Sequence, residues 1–373
     1  MTKTLIDVFS GCGGLSLGLE QAGFSTVFAS DIDPVCCHTY KLNRNLPDDR
    51  IFVGDIHDLN NKWCEKYKPL LGEIDLVCGG PPCQGFSTAN RQRIINDPRN
   101  ILYKEYLIFL NHVRPKFFIM ENVKGMMQKV NEILFDIKTI LGEDYNVSYR
   151  VLNAKNFGVP QNRERFILIG NRVHIDSNKI FENILSEKYP MYTLDDAISD
   201  LPELKPNRIK NRSDIENEEV GFKVLPFKYK KTPFRDFINS KEIFFLHNHK
   251  NRYNNDRDIE IFTRLPQGEN SLHYSIKDIM PYSSRKNIFK DKYFKLKANT
   301  ICKTITSHMK YDCNMYIHPT QARGLSPREA ARIQTFPDSF VFYGSQNSWY
   351  HQIGNAVPVK LAEAIGKEII KWL

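Results

Sequence analysis

Along the first 170 residues, short apolar runs alternate with stretches whose apolar positions recur every three or four residues. "TLIDVF" (4–9), "STVFAS" (25–30), "EIDLVCGG" (73–80) and "KFFIMENV" (116–123) read as buried strands. Between them, "GLSLGLEQAG" (14–23), "YKEYLIFLNHV" (103–113) and "VNEILFDIKTIL" (130–141) carry the helical period. This alternation predicts a mostly parallel sheet with helices on both faces. "NVSYRVLNA" (146–154) and "RFILIG" (165–170) read as a late hairpin on that sheet. After Gly170 the rhythm is lost. Residues 201–300, rich in Asn, Lys, Phe and Tyr, predict an irregular, loop-dominated small domain. Helical periodicity returns at "SPREAARIQTF" (326–336) and in the amphipathic "VKLAEAIGKEIIKWL" (359–373).

Composition narrows the picture. The 373 residues are 41% hydrophobic and 25% charged, with no apolar run near the roughly 18 residues of a membrane span. The N-terminus passes straight into a strand-and-turn pattern, so a cytoplasmic protein without a membrane partner is expected. Eight cysteines show neither a disulfide spacing nor a CxxC pair, which argues against a secreted scaffold and a zinc site. The net charge is +9, and residues 201–300 hold 21 Lys plus Arg against 13 Asp plus Glu. Basic surface gathered on one segment suits a polyanion, although an ordinary solvated surface has the same composition.

Five segments carry chemistry, and their notable residues fall at strand ends, where ligands of such sheets bind. "DVFSGCGGLSLGLEQAG" turns from strand to helix through Gly11, Gly13 and Gly14. Its spacing is not GxGxxG and no Walker-type lysine follows, so neither a dinucleotide nor ATP is favoured. Asp31, about twenty positions beyond the glycines, is placed to accept from two ribose hydroxyls, while Asp33 is a candidate helix cap. Asp55 in "GDI" is offered to an adenine amino group. These features describe a nucleoside crevice without a phosphate grip, which suits adenosine carried by a sulfonium. In "GGPPCQGFS", Pro81 and Pro82 fix the backbone before Cys83 and the glycines leave space around it, as a nucleophilic thiol requires. Glu121 in "PKFFIMENVKG" stands at the mouth of a buried strand, where desolvation favours a proton-donating carboxyl, and Asn122 is expected to orient it. In "VPQNRERFILIG", Arg163 and Arg165 share one strand face, and Glu164 points away. Two guanidiniums there suit a polarised oxygen or a phosphate.

Assembled in this order, with "GNAVP" at 354–358, the motifs resemble those of the bacterial-type DNA (cytosine-5)-methyltransferases over nearly the whole length. The resemblance implies an α/β fold: a Rossmann-like mixed sheet of the S-adenosylmethionine-dependent methyltransferases plus a smaller, irregular DNA-recognition domain. It implies a discontinuous catalytic domain, 1–195 with 345–373, around a recognition domain at 196–344, the last helix packing on the first strands. It further implies S-adenosylmethionine as donor, S-adenosylhomocysteine as product, no metal, double-stranded DNA as partner to a monomer, and a cognate restriction endonuclease as functional companion. Cys83 would attack carbon 6 of a flipped-out cytosine. Glu121 would bond ring nitrogen 3, and Arg165 with Arg163 would stabilise the ring oxygen side. Phe9, Gly11, Gly13, Gly14, Asp31, Ile32, Asp55, Ile56, Pro82, Leu102 and Asn355 resemble the cofactor-binding positions. Residues 84–100 resemble a loop that closes over DNA, with Arg91 and Arg93 toward phosphates, and "HNHKNRYNNDRD" (247–258) is the richest candidate for reading bases. A relative acting on transfer RNA shares this core but needs little recognition domain, so the long basic insertion favours DNA. An inert DNA-binding descendant is disfavoured by the intact Cys83, Glu121 and Arg165.

Overall fold

The structure is a computed structural model and describes residues 2–82, 102–210, 216–217, 220–228, 230–281 and 290–373. Cys83 and the 84–100 segment, with Arg91 and Arg93, lie outside the described residues. Two compact units form: 1–158 with 163–190 and 357–373, and 159–162 with 191–356. "GNAVP" straddles the last crossing, since Gly354 to Ala356 belong to one unit and Val357 and Pro358 to the other.

In the first unit the chain runs β1 (Lys3–Val8), α1 (Gly14–Gln21), β2 (Phe24–Asp31), α2 (Pro34–Leu42), β3 (Ile51–Val53), α3 (Ile56–Lys62), α4 (Lys68–Leu71) and β4 (Leu76–Gly79). It continues through α5 (Leu102–Val113), β5 (Phe117–Val123), α6 (Val130–Leu141), β6 (Asn146–Asn153), β7 (Glu164–Asn171) and α7 (Ser177–Ser186). The sheet order is β3-β2-β1-β4-β5-β7-β6. β7 runs antiparallel to both β5 and β6, and the other pairings are parallel. Continuous apolar strands are what burial on both faces demands, and Phe117 to Met120 are wholly buried. The core joins Ile6, Phe28, Trp63, Tyr106, Phe109, Phe118 and Leu168.

The second unit contains α8 (Leu194–Ile198), β8 (Gly221–Pro226), α9 (Pro233–Ile238), β9 (Phe245–Lys250), α10 (Asp256–Arg264), α11 (Pro327–Ile333) and α12 (Gln346–Asn355). The chain closes on α13 (Val359–Ile369), back in the first unit. There α13 packs chiefly on α1, and on α7, rather than on the first strands as expected. The approach is close because a methyl group on Gly18 would stand 2.2 Å from the Val359 carbonyl oxygen.

The second unit is loop-dominated, as its composition suggests, with short elements set among the loops. β8 and β9 form an antiparallel ribbon, and a satellite core gathers Ile261, Phe262 and Leu265 of α10 with Ile276, Tyr293 and Ile317. The expectation for 247–258 is narrowed, because Asn248, His249, Lys250, Asn251 and Asn254 are buried while Asp256 and Arg257 are exposed. Asn248 exchanges two hydrogen bonds with the Phe342 backbone. His249 Nε2 donates to the Pro202 carbonyl (2.8 Å), and its Nδ1 meets Ser326 Oγ (3.0 Å). Asn251 Nδ2 donates to the Lys205 carbonyl. These polar side chains satisfy backbone groups inside the unit, a role that composition alone does not distinguish from base reading.

Candidate active site

β1 ends in a turn that begins with Phe9, a non-glycine residue held at φ 54°, followed by Gly11 at φ 53° and Gly13 at φ 87°. A side chain with positive φ is strained and persists where its surroundings fix it. The Gly11 amide donates to Asp31 Oδ2 (2.7 Å) and the Asp33 amide to Asp31 Oδ1 (2.9 Å). Asp31 at the end of β2 therefore ties down the β1–α1 turn, and each of its oxygens retains a second lone pair. Burial raises its pKa. Asp33 caps α2 through the Val35 amide, and Asp55 caps α3 through the His57 amide.

These strand ends enclose a cleft lined by Phe9, Ser30, Asp31, Ile32, Gly54, Asp55, Ile56 and Leu102. Six of the residues picked as cofactor contacts thus share one hollow: Phe9, Asp31, Ile32, Asp55, Ile56 and Leu102. Ile32 is 69% exposed, an apolar surface left open beside a carboxylate. A methyl group on Gly11 would meet nothing within 4 Å, so the turn is open there. Gly14 begins α1, and Pro82 is exposed beyond β4. Asn355 belongs to the second unit, where its Nδ2 meets His351 Nε2 at 3.1 Å.

Beneath the turn lies a buried polar group that the sequence reading missed. Arg44 stacks over the Tyr40 ring (3.9 Å), pairs with Glu20 (2.9 Å) and donates to the Gly13 carbonyl (2.9 Å). Gly13 has no room for a side chain, since a methyl there would lie 2.6 Å from the Tyr40 ring. Asp7, wholly inside, accepts from Cys78 Sγ (3.5 Å), and burial pushes its pKa up to about 6. No local signal marks Arg44, which stands thirty-one positions beyond Gly13.

The second half of the site is built on β5 and β7. Glu121, in β5, is paired across the antiparallel register with Ile167, and Val123 with Arg165. Arg165 Nε meets Glu121 Oε1 at 2.8 Å, with the two side chains 13% and 12% exposed. Arg163 is buried and Glu164 exposed, where it pairs with Lys124. Burial pushes the Glu121 carboxyl above its ordinary range, against the opposing pull of Arg165 and Arg163. Burial likewise lowers Arg165. Glu121 faces the backbone that leads to Cys83: a methyl group on Gly80 would lie 2.9 Å from Glu121 Oε2. Asn122 does not orient Glu121 by a hydrogen bond. Its Nδ2 donates instead to the Pro81 carbonyl (2.8 Å), and its Oδ1 accepts from the Val123 amide. It clamps the segment two residues before the cysteine.

An open apolar–carboxylate cleft therefore lies at the ends of β1–β3, and a carboxyl–guanidinium pair beside the Gly80–Pro82 segment. A sequence model of the C-5 cytosine-specific DNA methylase family matches residues 3–371. The type II methyltransferase M.FnuDI of Fusobacterium nucleatum is 35% identical over 99% of this chain and 94% of its own length. M.MthTI of Methanothermobacter thermautotrophicus is 33% identical over 100% and 98%. A solved prophage-encoded chain from E. coli, assigned as a DNA modification methyltransferase, superposes with TM-score 0.77 at 26% identity, covering 99% of both chains. The S. pombe Dnmt2 methyltransferase, at 18% identity and TM-score 0.54, shares the fold. The chain belongs to the C-5 cytosine-specific DNA methylases, as a DNA (cytosine-5)-methyltransferase of the type II restriction-modification class.

Proposed function

We propose that this enzyme methylates carbon 5 of a cytosine swung out of duplex DNA, through a transient bond between Cys83 and carbon 6. The observation that carries the reading is the Glu121–Arg165 pair, set against Gly80 three residues before that cysteine. A stacked cytosine hides carbon 6, so the base must leave the helix to meet a thiol. Thiolate addition to carbon 6 pushes electrons toward ring nitrogen 3 and carbon 5. A carboxyl with a raised pKa remains protonated nearer neutrality and donates to nitrogen 3, so the adduct forms as an enamine rather than a free carbanion. Arg165, fixed by Glu121, keeps a positive group at the ring-oxygen side and favours the thiolate form of a nearby cysteine. Once carbon 5 has taken the methyl group, nitrogen 3 returns its proton to Glu121, and loss of the carbon 5 proton to water restores the ring double bond and expels the Cys83 thiolate.

The cleft fits S-adenosylmethionine in its donor set. Asp31 has spare lone pairs for ribose hydroxyls, Phe9 and Ile32 offer apolar faces to an adenine, and Asp55 stands at the rim. When bound, the cofactor supplies the electrophilic methyl group. Gly11 leaves the turn open for its methionine part. We further propose that the first unit is the catalytic domain and that the second carries target recognition, in the cytoplasm, on DNA shared with a cognate endonuclease.

The test is DNA carrying 5-fluorocytosine, from which the carbon 5 substituent cannot leave as a proton. With S-adenosylmethionine present, the wild-type enzyme should form a denaturation-resistant protein–DNA adduct, and Cys83→Ala should form none while still binding DNA. Methylation by Cys83→Ala at near wild-type rate would overturn the mechanism.

A further inference from the structure

The β8–β9 ribbon has an unusual outer face. In its register Val224 stands opposite His247 and Pro226 opposite Phe245, so these four side chains share one face. Toward the interior that face closes at His249, wholly buried, and the other face carries buried Leu246 beside exposed Lys223, which pairs with Glu216 (3.6 Å). On the outer face Val224 is 48% exposed and Phe245 55%, and Phe244 just before β9 is 72% exposed. Solvent-facing positions of an antiparallel pair are ordinarily polar, so the exposed tip formed by Val224, Pro226, Phe244 and Phe245 is unusual.

Lysines frame it. The strap after β8 carries Lys228, Lys230 and Lys231, all exposed, and exposed Lys241 precedes β9. The acidic neighbours are Asp236, 3.8 Å from Lys231, and exposed Glu242. The strap is held in place: buried Arg235 donates to the Lys230 carbonyl (2.9 Å) and lies over the Phe227 ring (4.6 Å). The Phe227 amide continues the ladder to the Phe244 carbonyl (2.8 Å).

We propose that this ribbon is a DNA-contacting element: Val224, Pro226, Phe244 and Phe245 meet base edges in a groove, and the lysine strap meets phosphates. The proposal rests on duplex DNA being the substrate. A two-stranded ribbon is of a width the major groove admits, and apolar side chains there contact thymine methyl groups. A symmetric contact between two copies of the chain would set lysine strap against lysine strap, which repulsion opposes. A polyanion removes that repulsion and releases counterions.

The experiment measures binding of the full chain to linear plasmid DNA across a salt series. It compares wild type, Lys228→Gln/Lys230→Gln/Lys231→Gln, and Val224→Ser/Phe245→Ser. Circular dichroism and S-adenosylhomocysteine binding verify folding, and sedimentation reports self-association. The lysine variant should weaken binding and lower the slope of log affinity against log salt by about 2 to 3. The serine pair should weaken binding about fivefold or more with its slope unchanged. Folded variants with wild-type affinity and slope overturn the proposal, as does an apolar variant that loses self-association but not DNA. If the wild type itself binds no duplex, the reading of the substrate fails instead, a separate and recognisable outcome.

Discussion

Two glutamate–arginine pairs, one in each unit, respond in opposite ways to burial. Glu121 meets Arg165 from Nε at 2.8 Å, and each side chain keeps 12–13% exposure. Glu329 meets Arg323 through two parallel contacts at 2.6 and 2.8 Å, with both side chains at 1% exposure or less. Glu329 also accepts from the Ser326 amide (2.7 Å) and closes a capping box at the start of α11. Burial raises Glu121, whereas Arg323, helped by His318 and His249, overcomes burial and holds Glu329 well below the carboxylate range. Burial depth therefore does not decide the sign. The number and alignment of donors does. A pair locked by two aligned donors stays ionised and serves structure, while a raised carboxyl suits the proton-donating role proposed for Glu121.

The largest expected effect follows from breaking the locked pair. Glu329→Gln leaves the Arg323 guanidinium buried without its counter-charge and should destabilise the second unit by about 3–5 kcal/mol. Chemical denaturation monitored by circular dichroism checks this, and a loss under about 1 kcal/mol would break the contrast. Next comes Glu121→Gln, which keeps the shape but cannot deliver a proton. Methyl transfer should fall by about a hundredfold or more, with the thermal midpoint no lower than wild type. A rate near normal would place the proton elsewhere.

Much of this contrast was legible in the sequence for the first unit and little for the second. Parallel strands buried on both faces announce themselves as apolar runs, and the strand-end rule then groups Phe9, Asp31 and Asp55 around one cleft. Even there Arg44, and Asn122's bond to Pro81, depend on contacts between distant segments that no local period encodes. In the second unit buried ion pairs thread an apolar core. Arg332 grips Asp338 at 2.7 and 2.9 Å, and Arg235 and Arg328 are equally buried. A reading that assigns arginine and asparagine to the surface misplaces them, which is why 247–258 looked like a recognition stretch. The helices α7 and α10 were missed for a related reason: polar residues dilute their apolar stripes, as in "DRDIEIFTR".

A smaller effect is expected at the clamp beside the site. Asn122→Ala removes the hydrogen bond to the Pro81 carbonyl and frees a buried acceptor. The cost in the rate of methyl transfer should be about tenfold, with cofactor affinity unchanged. If the loss appears in cofactor binding instead, the clamp acts on the cleft and not on the segment leading to Cys83.

The smallest effect is in pH, and it tests the comparison most directly. The folded pKa of Glu121 is raised, so its contribution to stability is complete below its unfolded value near 4.5 and is lost as pH climbs through the folded value. The folded pKa of Glu329 is lowered, so its contribution is complete above 4.5 and is lost as pH falls. Wild type and Glu121→Gln should therefore melt together near pH 4.5 and separate by a few degrees at pH 8, with the glutamine variant higher. Wild type and Glu329→Gln should do the reverse, far apart at pH 8 and converging below pH 4.5. Thermal melts of the three proteins across that range decide it. Parallel curves for the two variants would mean that depth alone governs both carboxylates, and the distinction between a locked pair and a proton-donating one would fall.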